Sequence, residues 1–568
     1  PDEITFTCVL KACGSIGAIE KGKQIHTEII NVGLLEKSIM LGTALIDMFA
    51  KCGELSKAQE AFEQLSEKNI VSWTVLIAGY AQHKCGDEAL KCFKQMQSHG
   101  FSPDAVIYIC ILKVCAFLGS LEIGEDIDVE IRKQGLLEKD AVLGATLIDM
   151  YAKCGALHKA REVFDQLPTQ NLAAWTALIA GYARNRLGDE ALQCFEQMKD
   201  KGVMPDVVTY ICVLKVCAIV GSLSIGEDIF VDVRNMELFQ NDVMLGNTLV
   251  GMYAKCGALN KAQEVFGELP VRDVISWTTL IAGYAEYGLA MEALDTLEQM
   301  TVKKVCPNSV TYVCALGACG DLRAVNKGQE LYMRIVKEGY DGDSIMGNSL
   351  VDMYARCGYL AEAEYGFYKL PEQDIISYSA LIAGYAELGL CKEALNSLRR
   401  MRSDGIIPDE ITFVSILKAC GSVQAIDSGL QIHAEIIKEE FERDVFIGNK
   451  LVDFYAKCGM LSDARDVFDG LEVKDDISWN SLLSGYADHM LDKESENLLE
   501  IMQFEGLDSV TLLCALKLCG SVSDINKGRD LHSMIIRGGL EKELLIENAL
   551  VEMYSNNGAL SDATMVFN

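Results

Sequence analysis

One stretch recurs five times along this chain, and its clearest copy reads Asp273-Val-Ile-Ser-Trp-Thr-Thr-Leu-Ile-Ala-Gly-Tyr-Ala285. An aromatic residue and a glycine six positions later mark every copy, at spacings of 102, 102, 101 and 101 residues. The residue after the aromatic varies but stays small and polar: Thr74, Thr176, Thr278, Ser379 and Asn480. A variable polar residue in a constant apolar frame is typical of a recognition position on a repeating scaffold.

The apolar residues of this stretch have helical spacing. In Trp175–Ala183 they fall at positions i, i+3, i+4 and i+7, and a second stripe of the same kind occupies Ala191–Met198. Gly202 ends the second helix, and Pro205-Asp206 starts the next segment. No segment alternates with period two over a useful length. The sequence therefore predicts an all-α protein of helical hairpins, stacked into a superhelix with a concave groove.

Three types of hairpin follow one another within each unit of the repeat. The first contains Leu10-Lys-Ala-Cys-Gly-Ser15 and spans residues 3–38, 105–140, 207–242, 309–343, 410–444 and 509–543. The second contains Leu147-Ile-Asp-Met-Tyr-Ala-Lys-Cys-Gly155 and spans residues 39–69, 141–171, 243–273, 344–374, 445–475 and the truncated 544–568. The third contains the recurring stretch and spans residues 70–104, 172–206, 274–308, 375–409 and 476–508. We expect residues 1–568 to form one continuous solenoid of about 17 repeats rather than separate domains.

The composition limits the classes of protein that fit. Hydrophobic residues make up 50% of the 568, and only 8 are proline, so a large core can form and disorder is disfavoured. No apolar run approaches the length of a membrane span. The 21 cysteines recur at equivalent helical positions, so we expect reduced thiols packed as small core residues. The chain lacks an initial Met and ends within a repeat, so we expect it to be part of a longer protein.

The net charge of −31 bears directly on partners. Non-specific nucleic-acid binding requires cations that neutralise phosphates, and an acidic chain supplies them poorly on average. The charge therefore disfavours a bulk electrostatic binder but is compatible with a basic strip on one face. It also favours an alternative function, that of a protein-binding helical solenoid.

The known patterns for catalysis are incomplete. His26-Thr-Glu28 and His433-Ala-Glu435 match the first half of a zinc deaminase signature, but its second half, Pro-Cys-x-x-Cys, does not occur. The sequence also has no Gly-x4-Gly-Lys-Ser/Thr phosphate loop. We therefore expect no catalytic residue, metal site or cofactor in this chain.

The three motifs in fixed order resemble those of the plant PLS subclass of pentatricopeptide repeat (PPR) proteins, over the whole chain. The recurring stretch, followed by Glu-Ala-Leu, Gln-Met and Pro-Asp, resembles the P motif. Leu10–Ser15 with Gly22-Lys-Gln-Ile-His26 resembles the L motif, and Asn247-Thr-Leu-Val-Gly-Met-Tyr-Ala-Lys-Cys-Gly257 resembles the S motif. The three hairpin types are accordingly called L, S and P repeats below. The resemblance implies a right-handed superhelix that binds single-stranded RNA in chloroplasts or mitochondria, one base per repeat.

Two residues of each S or P repeat are implied to read the base. One follows the aromatic residue (the glycine in S repeats), and the other is the last of the repeat. A terminal Asp accepts hydrogen bonds from uracil N3 or guanine N1, whereas a terminal Asn donates to adenine N1 or cytosine N3. In the first position Asn suits pyrimidines, and Thr or Ser suits purines. The implied pairs are Thr43/Asn69 and Thr278/Asn308 for A; Thr74/Asp104, Thr176/Asp206 and Ser379/Asp409 for G; Asn247/Asp273, Asn348/Asp374, Asn449/Asp475 and Asn480/Asp508 for U; and Ala145/Asn171, which lacks a hydroxyl, for a weak A.

The L repeats carry an apolar residue at the first position, which cannot form hydrogen bonds with a base. These residues are Ile109, Ile211, Val313, Val414 and Leu513. We expect the L repeats to act mainly as spacers, and Thr7 with Ser38 stays unassigned. With the parallel polarity of the family, the predicted RNA is 5′-nAGn(A)GnUAnUGnUUn-3′.

Two further sets of residues are implied to contact the RNA. Apolar residues shortly before the first reading position are expected to sandwich the bases, unless they only pack the hairpin: Met40, Val71, Val142, Ala173, Met244, Ile275, Ile345, Ile376, Phe446 and Ile477. Cations that end the first helix of the S repeats are expected to meet phosphates, unless they are solvated residues that suit the helix dipole: Lys51, Lys153, Lys255, Arg356 and Lys457.

The resemblance favours the recognition tract of an organellar factor for C-to-U RNA editing. Its partners would be single-stranded RNA and a deaminase domain, carried downstream or recruited in trans, with no membrane and no small-molecule substrate. RNA binding for transcript stabilisation, splicing or translation is an alternative outcome. The protein-binding solenoid is the alternative that excludes RNA.

Overall fold

The computed structural model describes residues 2–34, 38–236, 238, 242–340, 342–439, 441, 444–489, 509–522, 524–540 and 544–567. These residues form α-helices joined by short turns and contain no β-strand. The all-α class is confirmed. The chain divides into two compact units, residues 1–283 and 284–568.

The first unit is a stack of helical hairpins, with two helices for each repeat. Its helices are α1 Glu3–Ile16, α2 Ile19–Val32, α3 Ile39–Lys51, α4 Leu55–Glu63, α5 Ile70–Gln82, α6 Gly86–Ser98, α7 Ala105–Leu118, α8 Leu121–Lys133, α9 Ala141–Lys153, α10 Leu157–Gln166, α11 Leu172–Arg184, α12 Gly188–Asp200, α13 Val207–Val220, α14 Leu223–Asn235, α15 Val243–Lys255 and α16 Leu259–Glu268. The boundary between the units falls within α17 Val274–Glu286.

The described part of the second unit is built in the same way. Its helices are α18 Ala290–Val302, α19 Ser309–Asp321, α20 Val325–Glu338, α21 Ser344–Arg356, α22 Leu360–Lys369, α23 Ile375–Glu387, α24 Cys391–Ser403, α25 Glu410–Ser422, α26 Ile426–Lys438, α27 Val445–Lys457, α28 Leu461–Gly470, α29 Asp476–His489, α30 Ser509–Val522, α31 Ile525–Gly538, α32 Leu544–Asn556 and α33 Leu560–Phe567. The first helix of each hairpin begins at the first residue of a predicted repeat. Whether residues 1–568 form one continuous solenoid stays a prediction.

The S repeats are shorter than the L and P repeats in part because their second helices are shorter. The second helix of an S repeat has 10 residues in α10, against 13 in α8 of an L repeat and in α12 of a P repeat. The turn between α9 and α10 needs a left-handed backbone, which Gly155 supplies with φ of 79°. Since a side chain disfavours that conformation, the glycine sets the end of the first helix.

The core lies between the first helices of successive hairpins. Helix α9 packs against both α7 and α11, and α10 contacts α9 and α11. Trp175 of α11 is buried and meets the ring of Phe164 of α10 edge-on, with 4.5 Å between ring centroids. Such edge-to-face pairs contribute about 0.5–1.5 kcal/mol beyond their buried area. The aromatic residue of the recurring stretch therefore joins a P repeat to the S repeat before it.

The cysteines are free thiols, and most lie in or directly after these packed helices. In the first unit, the Cys154 thiol lies at the end of α9 and donates to the backbone oxygen of Cys115, with Sγ and O 3.8 Å apart. Cys256 makes the equivalent contact with Cys217 at 3.6 Å. Burial raises the pKa of the Cys115 thiol to about 12, so it stays protonated at neutral pH. The prediction that these thiols act as small core residues agrees with this packing.

We expect Gly181→Ala to destabilise the first unit. A Cβ at Gly181 would stand 2.6 Å from the Cβ of Ala152, so α11 and α9 would have to move apart. Overpacking of this kind costs about 1–3 kcal/mol, partly offset by the better helix propensity of alanine. Thermal unfolding followed by circular dichroism should show a lower midpoint. The control is Gly267→Ala in α16, where a Cβ meets nothing within 4 Å and the midpoint should stay or rise; a lower midpoint there, or none for Gly181→Ala, would contradict the argument.

Candidate nucleic-acid interface

The terminal residue of each S and P repeat also caps the next helix. Asn69 Oδ1 accepts from Ser72 N at 2.9 Å at the start of α5, and Asp409 Oδ1 accepts from Thr412 N at 2.8 Å at the start of α25. The same N-cap bond is made by Asp104, Asn171, Asp206, Asp273, Asn308, Asp374 and Asp475. Asp508 lies outside the described residues. Since Asp and Asn are among the preferred N-cap residues, helix capping by itself accounts for this pair of residue types.

In three S repeats the two predicted reading residues contact each other directly. The Asn247 amide donates to Asp273 Oδ1 at 3.1 Å, and the Asn348 amide donates to Asp374 Oδ2 at 2.8 Å. The third pair, Asn449 and Asp475, is joined at 3.0 Å. The structure therefore brings together residues that stand 26 positions apart.

The asparagines of these pairs are buried, but their hydrogen-bonding capacity is only partly used. Within the part of the chain that the structure describes, the amide oxygens of Asn247, Asn348, Asn449 and Asn480 are buried and have no hydrogen-bond partner. Leaving a buried acceptor unsatisfied costs about 1–3 kcal/mol. An asparagine amide has two N–H groups. When one of them donates to Asp, the other can donate to a further acceptor. Such unused polar groups are typical of a recognition site rather than of a core.

The carboxyl groups of two of these pairs are held in the ionised form. Burial by itself raises the pKa of Asp273, but hydrogen bonds from the backbone and hydroxyl of Ser276 and from the Asn247 amide lower it more. The balance leaves the pKa of Asp273 below its ordinary value. The same competition, with Ser478 and Asn449 as donors, lowers the pKa of Asp475. Both groups are therefore acceptors at neutral pH, as reading of a base N–H requires.

The hydroxyl residues at the first reading position are anchored to their own helices. Thr43, Thr74, Thr176 and Thr278 each donate to the carbonyl four residues earlier, at 2.7–2.9 Å. Such a bond uses the hydroxyl proton and leaves the oxygen as an acceptor. Ala145 is buried and has no hydroxyl, so its weak reading with Asn171 stays a prediction.

A third residue, not predicted from the sequence, links some of the reading pairs. The Thr412 hydroxyl lies 2.7 Å from Ser379 Oγ and donates to Asp409 Oδ1 at 2.6 Å. Thr209 Oγ1 lies 2.7 Å from both Thr176 Oγ1 and Asp206 Oδ1, so it stands between the two members of that pair. A Ser or Thr three residues after most of the terminal Asp or Asn residues was the available signal. In Asn69/Ser72, Asn308/Thr311 and Asp374/Ser377 it forms a capping box, in which each side chain accepts from the backbone N–H of the other residue.

The apolar residues predicted to sandwich bases lie on the surface. Ala173 is exposed, and the other nine side chains are between 52% and 64% exposed. Residues that served only to pack the hairpin would be buried. The L repeats carry an apolar residue at the same position, also 52–65% exposed, which the sequence prediction had left out: Ile4, Val106, Val208, Val310, Ile411 and Val510.

A cavity in the second unit collects several of these features. Its volume is about 720 Å³, and it is lined by the two neighbouring pairs Asn348/Asp374 and Ser379/Asp409. The exposed residues Ile345, Ile376 and Ile411 also line it. In the first unit a cavity of about 600 Å³ is lined by Thr43, Asn69, Met40 and Val71. Each cavity therefore joins the predicted reading residues to the predicted sandwiching residues.

Four of the five cations predicted to bind phosphates form an ion pair with an aspartate of the same helix. Lys51, Lys153 and Lys457 each form an ion pair with the aspartate four residues earlier, at 2.7–2.9 Å. Arg356 bonds both Asp352 at 3.0 Å and Asp321 at 2.6 Å. In the Lys255 repeat the equivalent of these aspartates is Gly251. These aspartates therefore neutralise most of the positive charge in the strip of cations that the sequence predicts.

The histidines of the partial deaminase motif serve in packing. His26 meets the ring of Phe49 edge-on at 5.4 Å between centroids, and His433 Nδ1 lies 2.6 Å from the Tyr455 hydroxyl. None of the helices in the described residues combines the length and apolar character needed to cross a bilayer.

Comparisons with known proteins agree with this architecture. The sequence model of the PPR repeat family matches residues 68–116, 170–219, 272–321 and 373–422, and that of the PPR repeat matches residues 43–70, 146–172, 247–274, 449–475 and 477–507. The crystal structure of PPR10 from maize has a TM-score of 0.59 at 20% identity, over 100% of this chain and 89% of that one. A crystal structure of PPR10 in complex with an 18-nt psaJ RNA element has a TM-score of 0.52, over 99% and 85% of the two chains.

Curated relatives come from Arabidopsis thaliana. The mitochondrial pentatricopeptide repeat-containing protein At3g02330 is 32% identical over 99% of this chain and 64% of its own length. The chloroplastic At4g18520 is 34% identical over 76% of this chain and 70% of its own length. This chain spans only 62–64% of the length of At3g02330 and of two further Arabidopsis relatives, At3g09040 and At5g52850. On the repeat matches and these identities, the chain belongs to the pentatricopeptide repeat family.

Proposed function

We propose that this chain binds single-stranded RNA by sequence, one base per S or P repeat. The contact between the two reading residues of the Asn/Asp pairs carries the proposal. The Asn247/Asp273 and Asn449/Asp475 pairs each present an ionised carboxylate beside an asparagine amide, next to exposed apolar side chains. Uracil offers the complement, because its N3–H donates and its carbonyl oxygens accept.

The assignments of the other pairs follow the same chemistry. Pairs with a hydroxyl residue and Asp are proposed to select G, and those with a hydroxyl residue and Asn to select A. The proposed target is 5′-nAGn(A)GnUAnUGnUUn-3′, with the last U resting partly on Asp508, outside the described residues. The exposed apolar residues would stack on the bases, as aromatic and apolar groups do in other single-strand binders.

The biological role is proposed from the repeat order and the relatives. The L-S-P order supports membership of the PLS subclass and a role as the recognition tract of an RNA-editing factor. A deaminase domain, downstream or in trans, would then supply the chemistry. Relatives named as mitochondrial or chloroplastic support location in one of these organelles.

The proposal predicts selective binding of the target RNA. A labelled oligonucleotide with the proposed sequence should bind at least tenfold more tightly than a scrambled one of equal composition, a difference of about 1.4 kcal/mol. Fluorescence anisotropy at constant moderate salt would measure both. Equal affinities, or no binding, would overturn the proposal and favour the protein-binding solenoid.

A further inference from the structure

The RNA backbone needs cations, and the acidic chain has few that are uncommitted. The cations of the S repeats are a poor source because most already pair with an aspartate on the same helix: Lys51, Lys153, Arg356 and Lys457. To bind a phosphate, each would have to share or leave that partner. The nearby carboxylate would also repel the phosphate.

The L repeats of the first unit carry lysines in a different state. Lys11, Lys113 and Lys215 lie on α1, α7 and α13, four residues after the position that reads a base in S and P repeats. All three are exposed, and within the described residues none forms a hydrogen bond or ion pair. Lys11 lines the same cavity as the reading residues Thr43 and Asn69. Lys11 is therefore a charged group at the predicted RNA-binding face, and Lys113 and Lys215 occupy the equivalent position on their helices.

One equivalent lysine of the second unit, Lys418, shows why Lys113 and Lys215 are uncommitted. Lys418 on α25 forms an ion pair with Glu387, which ends α23, 31 residues earlier. The residues 31 positions before Lys113 and Lys215 are Gln82 and Arg184. Neither can neutralise a lysine, and Arg184 adds a second positive charge.

The pKa of the Cys212 thiol is affected by the positive charges of Lys215 and Arg184. Burial raises the pKa of Cys212, while Lys215 and Arg184 both act against that increase. Two cations therefore lie near one half-buried thiol on α13. The Arg184 guanidinium lies 3.9 Å from Asp149 Oδ1, which is long for an ion pair.

We propose that Lys11, Lys113 and Lys215 bind the phosphates of the RNA, so that the L repeats hold the backbone where the S and P repeats read bases. The inference rests on the proposed RNA binding and deepens it. It gives the L repeats a contact with the ligand rather than a spacing role alone. It also accounts for binding by a chain whose net charge is −31, because the cations needed are local.

Salt dependence of RNA binding tests this assignment. Each phosphate contact on a single strand contributes about 0.7 to the slope of log affinity against log salt. Lys113→Met and Lys215→Met should each lower the slope by about that amount. Lys153→Met and Lys418→Met are matched controls with a paired lysine, and they should change the slope less. Circular dichroism would verify that every variant remains helical.

A gain of function completes the test. Glu387→Gln should release Lys418 and steepen the slope by up to about 0.7. If the wild-type chain binds the target RNA but Lys113→Met and Lys215→Met keep its slope, or Lys153→Met lowers the slope as much as they do, the assignment to L-repeat lysines is wrong while the proposed function stands. If the wild-type chain binds no RNA, the proposed function and this inference both fail.

Discussion

Asp409→Asn is expected to change the base preferred at its repeat from guanine to adenine. The carboxylate accepts from guanine N1–H, whereas the amide can donate to adenine N1. The reading partner Ser379 and the bridging Thr412 would keep their places, because Asn and Asp are about equally good N-cap residues. A correct pair of base contacts is worth on the order of 1–3 kcal/mol, so the preference should change by tenfold to a hundredfold. Anisotropy with four oligonucleotides that differ at this base would measure it.

The control for this swap is Asp444→Asn. Asp444 also caps a helix, accepting from Ile447 N at 3.0 Å at the start of α27, but it ends an L repeat. The same chemical change there should leave every base preference as it is. A base preference that stays with guanine in Asp409→Asn would show that the terminal residue only caps the helix.

Asn449→Ile is expected to abolish uracil preference at its repeat without lowering stability. Asn449 donates to Asp475 at 3.0 and 3.2 Å, yet its buried oxygen has no partner among the described residues. Removing an unsatisfied acceptor that costs about 1–3 kcal/mol should offset the lost hydrogen bond to Asp475. Ile211 occupies the equivalent place in an L repeat and is buried there, so the hairpin accepts isoleucine. Affinity for the target should fall about tenfold or more, with the thermal midpoint kept or raised.

The matched variant for this position is Asn449→Ser. A hydroxyl residue with Asp475 should read guanine, so the preference should change from uracil to guanine instead of disappearing. Retained uracil preference in Asn449→Ile would contradict the pairing of Asn449 with Asp475 as a reading unit. A large loss of stability would show that the asparagine is needed for packing.

Local interactions in this chain can be predicted from the sequence, whereas contacts between distant residues cannot. The helices begin where the repeat pattern placed them because apolar spacing and N-caps act within about one helical turn. Asn69, Asp273 and Asp409 could therefore be identified as special residues from the sequence alone. The sequence could not show that the same carboxylate or amide both caps a helix and meets a reading partner.

The exposed apolar row shows a different limit. Its S and P members were predicted from the resemblance, but its L members, such as Ile4 and Val106, were omitted although they occupy the same register. The sequence places an apolar residue at this position in L repeats too, but a spacer role for these repeats gives no reason to expect a base contact there. Exposure in the folded chain distinguishes these residues from the buried apolar residues beside them, such as Phe6 and Tyr108.

The all-α class, the repeat types and the residue types at each predicted reading position follow from the sequence alone. These depend on residue spacing, which repetition makes easy to read. The tertiary structure decided which side chains meet: Asn247 with Asp273 across 26 residues, and Lys418 with Glu387 across 31. Packing of neighbouring hairpins sets those distances, so the charge that each lysine of the recurring scaffold offers to a ligand depends on the residue that the preceding helix places beside it.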